Sequence, residues 1–324
     1  MKKLFFLCTL ILVVVLGACA SDSSDAPQDS DTDLDKAQEA VDLSPVRFGI
    51  MASIDAIPIV IAQERGLFEA AGLDVELEFF ANARDRDAAF QTGNLDGVMT
   101  DLVAVGMFQE GGFNVRATGV TTGRFTLVTS SEVGGLEDIA GKTIATLQNG
   151  APTLILDQML ASVGLTLDDV VLEEVPAVPN RLELLLNRQV DAALIVDPFS
   201  TIGVADGLHA LIHNTDIDFT PIVTAFTEEF IETHPEALVA FYQAFDDAVD
   251  FLNESDNYEE YIDTVIDVIG FPEELRDNVD LPEFRHNHLP SEDTLALAID
   301  WLRERDLITR DFEPSDFISD VAFR

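Results

Sequence analysis

Leu73-Asp74-Val75-Glu76-Leu77-Glu78-Phe79 alternates apolar and acidic residues without interruption. Successive side chains of a strand point to opposite faces, so the stretch reads as a half-buried β-strand. Its neighbours set the context. Val46-Arg47-Phe48-Gly49-Ile50-Met51 is a short strand, and a Ser53-Ile54-Asp55-Ala56 turn follows. A helix then starts near Ile57, with Pro58 in its first turn, where a missing N–H does no harm, and it ends near Arg65-Gly66. Beyond the alternating strand, residues 84–91 are helical and stop at Gly93. Gly97-Val98-Met99-Thr100 is a buried strand leading into a helix from Asp101, and Val115 to Val120 is another strand. Strand and helix take turns, which defines an α/β layer fold.

The layout then restarts. Lys142 to Leu147 is a strand, Gln148-Asn149-Gly150 a turn, and a helix runs from Ala151 to about Val163. Residues 170–175 form a strand, 180–187 a helix, and Ala192-Ala193-Leu194-Ile195-Val196 a buried strand ending at Asp197-Pro198. The remainder is mostly helical. Thr233-His234-Pro235-Glu236 reads as a capping box opening a helix to about Leu252, whose apolar face carries Ala237, Phe241, Phe245, Ala248 and Phe251. Residues 258–269 and 292–305 are two further helices. Trp301, beside Ile299 and Leu302, belongs to the core.

The amino terminus has a different character. Met1-Lys2-Lys3, an apolar run from Leu4 to Leu16 and small residues up to Ala18 form an export signal, with residues 1–18 as the signal peptide. Leu16-Gly17-Ala18-Cys19 resembles the lipobox of bacterial lipoproteins, which implies cleavage before Cys19 and a lipid on its thiol. The apolar run is short for a membrane span. Residues 19–44, rich in Ser and Asp and without apolar periodicity, read as a disordered acidic tether. Cys8 and Cys19 are the only cysteines, so the folded body has no disulfide and no cysteine nucleophile or ligand.

The formal net charge is -42, from 60 acidic and 18 basic residues. So few cations exclude a phosphate-binding, nucleic-acid function. They equally exclude docking on anionic lipid heads, leaving the lipid anchor as the only membrane contact. Lys36 and Lys142 are the only lysines after Lys3. Such a surface suits high salt or an alkaline medium, or simply an acidic exported protein from a lysine-poor genome.

Several stretches together resemble one family. Gly66-Leu67-Phe68-Glu69-Ala70-Ala71-Gly72-Leu73-Asp74-Val75-Glu76-Leu77, preceded by Pro58 to Arg65, is similar to a segment of ABC-transporter substrate-binding proteins of the sulfonate, taurine and thiamine-precursor type. Gly93-Asn94-Leu95-Asp96-Gly97, residues 136–142, Gln189 to Ala193, Asp197-Pro198-Phe199 and Asp300 to Glu304 fit the same family in order and spacing, covering residues 46–323. The resemblance implies a type II periplasmic-binding-protein fold: two α/β lobes joined by two crossover strands, near residues 126–129 and 222–225. Lobe one is then 45–128 plus 223–324 and lobe two 129–222. It implies a monomer that captures a small organic solute by hinge closure and delivers it to an ABC permease, outside the cytoplasm. It implies no enzymatic activity and no cofactor.

Candidate ligand contacts come from the turns that follow the strands, where helix amino ends offer free N–H groups. They are Ser53, Asp55, Ala56, Thr100 and Asp101 in lobe one, and Asn149, Gly150 and Ala151 in lobe two. Thr121, Thr122 and Arg124 follow a lobe-one strand, and Asp197 precedes Pro198. Ser53 and Asp101 are equally readable as helix caps, Asp197 as a turn residue, and Arg124 as an interlobe ion-pair partner. Asn180 and Arg181 are weaker candidates. His286, His288 and Glu283 are too few to hold a metal, and none is expected. Three aspartates beside one arginine suit a cationic, zwitterionic or hydrogen-bonding solute better than a dianion. Two rival functions remain: a pyrimidine-precursor synthase-like enzyme on the same fold, and a sensor or scavenger without a transporter.

Overall fold

The computed structural model describes residues 45–324 except 131 and 132. The expected signal peptide, Cys19 and the acidic tether lie outside the described residues. Within the described residues ten strands form two five-stranded sheets.

The first sheet begins with β1 (Val46–Met51), followed by helices α1 (Ile57–Glu64) and α2 (Leu67–Ala70), then β2 (Val75–Phe80) and α3 (Ala83–Gln91). β3 (Gly97–Asp101), α4 (Leu102–Glu110) and β4 (Val115–Val120) follow. β1 runs parallel to both β2 and β3, with Val46 opposite Val75 and Phe48 opposite Leu77. The alternation of β2 holds at Val75 and Leu77, but Phe79 is 48% exposed and the next residue, Phe80, turns inward instead.

The chain then enters the second sheet through β5 (Phe125–Thr129), continuing with β6 (Thr143–Thr146), α5 (Ala151–Ala161), β7 (Val171–Glu174), α6 (Val178–Leu186), β8 (Ala192–Val196), α7 (Phe199–Ala205) and β9 (His209–His213). It returns through β10 (Ile222–Thr227) and closes with α8 (Glu228–Thr233), α9 (Pro235–Asn253), α10 (Tyr258–Thr264) and α11 (Glu292–Glu304). The sheet orders are β2-β1-β3-β10-β4 and β7-β6-β8-β5-β9. They share one plan: three parallel strands, then an antiparallel strand inserted by a chain that crosses from the other sheet.

Two details differ from the sequence reading. Residues 125–128 were expected with lobe one, yet β5 pairs with β8 and β9 along its whole length, because its backbone groups find partners only in the second sheet. The capping box at Thr233 does not form. Thr233 is the last residue of α8, and its hydroxyl donates back to Glu229 O at 2.6 Å. α9 therefore starts on Pro235 with no side-chain cap.

The first sheet packs one face on α1 and α9. Phe48 lies 5.3 Å from Phe226 and 5.0 Å from Phe241, and Phe68 stacks on Phe241 at 5.0 Å. Its other face carries α4 and α11, and that apolar cluster runs on into α5 of the second sheet. α6 and α7 cover the opposite face of the second sheet. No helix among the described residues is long and apolar enough to cross a membrane.

Candidate functional site

Parallel strands direct their carboxyl ends to one side, and the crevice there is the natural place for a ligand. In both sheets this side faces the other lobe, and a cavity of about 300 Å³ lies between them. Lobe one supplies Met51, Ser53, Asp55, Phe80, Arg86, Met99, Thr100 and Asp101 from the ends of β1, β2 and β3 and the turns and helices after them. Lobe two supplies Leu147, Ala151, Pro152, Pro176, Val178, Arg181, Val196 and Phe199, and the crossovers add Phe125 and Ile222. The walls are apolar apart from a few charged and hydroxyl groups, the usual composition of a small-molecule site.

Four of those groups are ionisable. Asp55 sits in a single 3-10 turn and is buried, which pushes its carboxyl pKa up; the Ser53 hydroxyl and the Arg86 cation pull it back. Asp101 ends β3 and accepts from Ala104 N at 2.9 Å, capping α4. Burial, with a smaller push from Asp87, raises its pKa to about 6 against the pull of that N–H and Arg86. Arg86 is buried at the base of α3. Its Nε and Nη2 donate to Asp87 Oδ1 at 2.9 and 2.7 Å, and Nη2 also reaches Thr100 Oγ1 at 3.1 Å. Among the described residues, its Nη1 has the Met51 sulfur as its one hydrogen-bond partner, at 3.9 Å. Arg181 is 2% exposed and donates to Val175 O (2.7 Å), Leu194 O (2.9 Å) and Pro176 O (3.3 Å). Desolvation lowers its pKa to about 10, offset by Glu174. Arg181 thus places a buried cation, bonded to carbonyls rather than to a carboxylate, in the lobe-two wall.

The structure brings Ser53, Asp55, Thr100, Asp101 and Ala151 together around this cavity. The other candidates lie elsewhere. Ala56 is fully buried among Ile54 and Ile57. Thr121, Thr122 and Arg124 line a separate hollow at the strand crossover, with Asp280 and Arg285. Thr121 Oγ1 lies near Asp55 without a hydrogen bond of normal geometry, and Thr122 Oγ1 accepts from Arg285 N at 3.4 Å. Asn149 is exposed, and Gly150 is needed for Leu147, whose Cδ2 would stand 2.8 Å from an added Cβ. Arg124 is consumed by Asp197 and Asp280. Asp197 is saturated in turn: Oδ1 accepts from Ser200 Oγ, from Thr201 N at 3.0 Å and from Thr201 Oγ1 at 2.7 Å. His286 bonds Asp250 at 2.7 Å, and no metal-binding group of His, Cys, Asp and Glu occurs among the described residues.

The sequence reading missed Arg86 and undervalued Arg181. A signal existed for both: Arg86 lies four residues before buried Phe90, and Arg181 four before buried Leu185, so each shares the apolar face of its helix.

Residues 39–266 match the family model described as the NMT1-like family. The chain belongs to the NMT1-like family. Among its relatives, a Brucella abortus protein named only as a binding protein is 27% identical over 216 residues, covering 64% of this chain and 66% of the relative. The match therefore spans just under two thirds of that relative's length. A Bacillus subtilis protein whose name assigns it to aliphatic sulfonates is 25% identical over 256 residues, 73% of each chain. Among solved structures, the alkanesulfonate-binding protein of Xanthomonas axonopodis pv. citri, bound to MOPS, superposes with a TM-score of 0.70 at 17% identity, covering 82% of this chain and 94% of that one. A desulfurization enzyme shares the fold at a TM-score of 0.59 and 16% identity, over 85% and 96% of the two chains. These likenesses establish the periplasmic-binding-protein fold for this NMT1-like chain.

Proposed function

We propose that this NMT1-like protein is the extracytoplasmic solute receptor of an ABC importer. It traps a small organic solute between its lobes and hands it to a permease, performing no chemistry. The observation that carries this reading is the interlobe cavity: apolar walls, Arg86 Nη1 turned toward a weak sulfur acceptor, and two carboxyls whose pKa burial has raised. Arg86 and Arg181 give the cavity two cationic groups, and the raised pKa values of the Asp55 and Asp101 carboxyls weaken the opposing negative charge. An apolar body with a singly charged or zwitterionic head fits this wall better than a dianion. The names of the Brucella and Bacillus relatives support a binding role. Cys19 would hold the receptor to the outer face of a membrane, keeping the solute near the importer at high effective concentration.

The rival enzyme reading is a pyrimidine-precursor synthase-like activity on the same fold, a fold that a desulfurization enzyme also shares. No cysteine or histidine is among the residues that line the cavity. The test is a thermal-shift screen of organic sulfonates, carboxylates and amino acids on the body from Ser44 onward. A true ligand at a hundredfold excess over its Kd stabilises by about 2.7 kcal/mol. Arg86→Met should then weaken the hit roughly tenfold or more, the scale of a charged hydrogen bond. No stabilisation by any small solute, or recovery of a chemically altered solute, would overturn the reading.

A further inference from the structure

Residues 121–124, ahead of β5, and 218–221, ahead of β10, carry the chain from one sheet to the other. Together with residues 280–288 they line the second hollow, a cavity of about 350 Å³. Its base is tied together. Buried Asn214 donates from Nδ2 to Gly123 O at 3.2 Å and to Phe219 O at 2.9 Å, and its Oδ1 accepts from Phe125 N at 2.8 Å. Val120 N donates to His288 O at 2.9 Å and Arg285 N to Thr122 Oγ1 at 3.4 Å, which fastens the third segment. The walls are held in place before anything binds, so a ligand bears little ordering cost.

The lining keeps unspent polar groups of both signs. Arg124 gives four N–H groups to Asp197, to the Asp280 carboxylate and to the Asp280 carbonyl, which leaves one Nη1 hydrogen of its five. Asp280 is 84% exposed, and its carboxylate has acceptor sites beyond the one that Arg124 fills. The Arg285 side chain has no hydrogen bond or ion pair among the described residues. Asp218 and Glu283 add two exposed carboxylates, and Phe219 and Leu281 add apolar surface. Two guanidiniums thus stand among three carboxylates, so an ion of either sign meets repulsion along with attraction. A hydroxyl escapes this conflict, because it accepts from a guanidinium while donating to the carboxylate beside it. Arg124 Nη1 and Asp280 Oδ2, 2.8 Å apart, present that donor and acceptor side by side.

We propose that the cavity at the lobe crossovers is a second ligand site, which takes a small neutral polyol such as a monosaccharide. Neighbouring hydroxyls sit on the Arg124–Asp280 pair, another meets Arg285, and the C–H face lies on Phe219 and Leu281. The site is back to back with the interlobe cavity. Gly123 lines the one and Asp55 the other, and a Cβ on Gly123 would stand 3.5 Å from Asp55 Oδ2. The proposal uses no group of the interlobe cavity, so it stands or falls separately from the transport reading.

The test is isothermal titration of the full-length protein with D-glucose and myo-inositol, and with D-gluconate and D-glucosamine as charged counterparts of glucose. At least one neutral polyol should bind with a Kd of about 1 mM or below, and more tightly than either charged counterpart. Arg285→Met and Asp280→Ala both alter exposed side chains and should each weaken it roughly tenfold, the scale of one hydrogen bond to a charged group. Arg86→Met, in the interlobe cavity, should leave the polyol affinity unchanged. No binding of either polyol up to roughly 20 mM would overturn the proposal. So would an affinity indifferent to both Arg285→Met and Asp280→Ala, an affinity lost in Arg86→Met, or tighter binding of gluconate or glucosamine than of glucose.

Discussion

Arg124 donates to Asp197 Oδ2 through both Nε, at 3.0 Å, and Nη2, at 2.7 Å. The pair ties the residue just ahead of β5 to the carboxylate that receives the first turn of α7. Arg124 Nη1 reaches Asp280 Oδ2 at 2.8 Å, so one guanidinium joins the crossover, the second lobe and the C-terminal part of the first. Desolvation of Arg124 is more than offset by these carboxylates, and its pKa is raised.

The two halves of this arrangement differ in worth. Asp197 is 1% exposed and Asp280 84% exposed. Arg124→Ala strands a buried carboxylate that keeps only its Ser200 and Thr201 donors, and should cost about 2–4 kcal/mol. Asp280→Ala removes a solvated partner and should cost under about 1 kcal/mol. Urea unfolding of both variants checks the ordering.

Asp101 gives a pH dependence of definite sign. Its folded pKa, about 6, lies above the ordinary 3.8, so the folded state binds the proton more tightly than the unfolded chain. The group therefore favours folding fully below about pH 4, and that contribution is lost as pH rises through about 6. Asp101→Asn keeps an acceptor for Ala104 N and removes the charge. It should be more stable than the parent by about 1–2 kcal/mol at pH 7.5, the shift being discounted for partial exposure at the cavity wall, with the gap closing by pH 4. Denaturation midpoints measured across that range check the sign.

Gly97 packs where a side chain cannot go. An added Cβ would stand 2.6 Å from two atoms of the Phe226 ring. Phe226 cannot give way, being held by Phe48 and Phe230 at 5.3 and 5.2 Å. Gly97→Ala should destabilise by about 1–3 kcal/mol. The readout is the thermal midpoint of the purified protein.

Cys19→Ser tests the proposed anchor. The parent should fractionate with membranes and enter the detergent phase on phase separation, and the variant should be recovered in the soluble fraction. Equal partitioning of the two would remove Cys19 from the membrane contact.

Local chemistry made much of this protein legible from its sequence. The alternation at residues 73–79, Pro58 in a first helical turn and Asp101 ahead of an apolar run each dictate a local conformation whatever surrounds them, and the elements follow. The restart of the strand–helix layout after Lys142 announced two similar halves. The composition sets the expectation of no nucleic-acid partner, because 18 basic residues among 60 acidic ones offer little to release phosphate counterions.

Tertiary structure alone decided which polar residues face the cavity. Arg124 precedes β5 and Asp197 precedes α7, and nothing local shows that these two pair with each other rather than with a ligand. Arg124 and Asp197 satisfy one another across 73 positions of sequence, which removes both from the cavity. Arg86 is turned inward because Phe90 on the same helix face must be buried. A short sequence window fixes backbone conformation through sterics and nearby hydrogen bonds. The partner of a buried charge is fixed by desolvation, which depends on which distant segments the fold brings together.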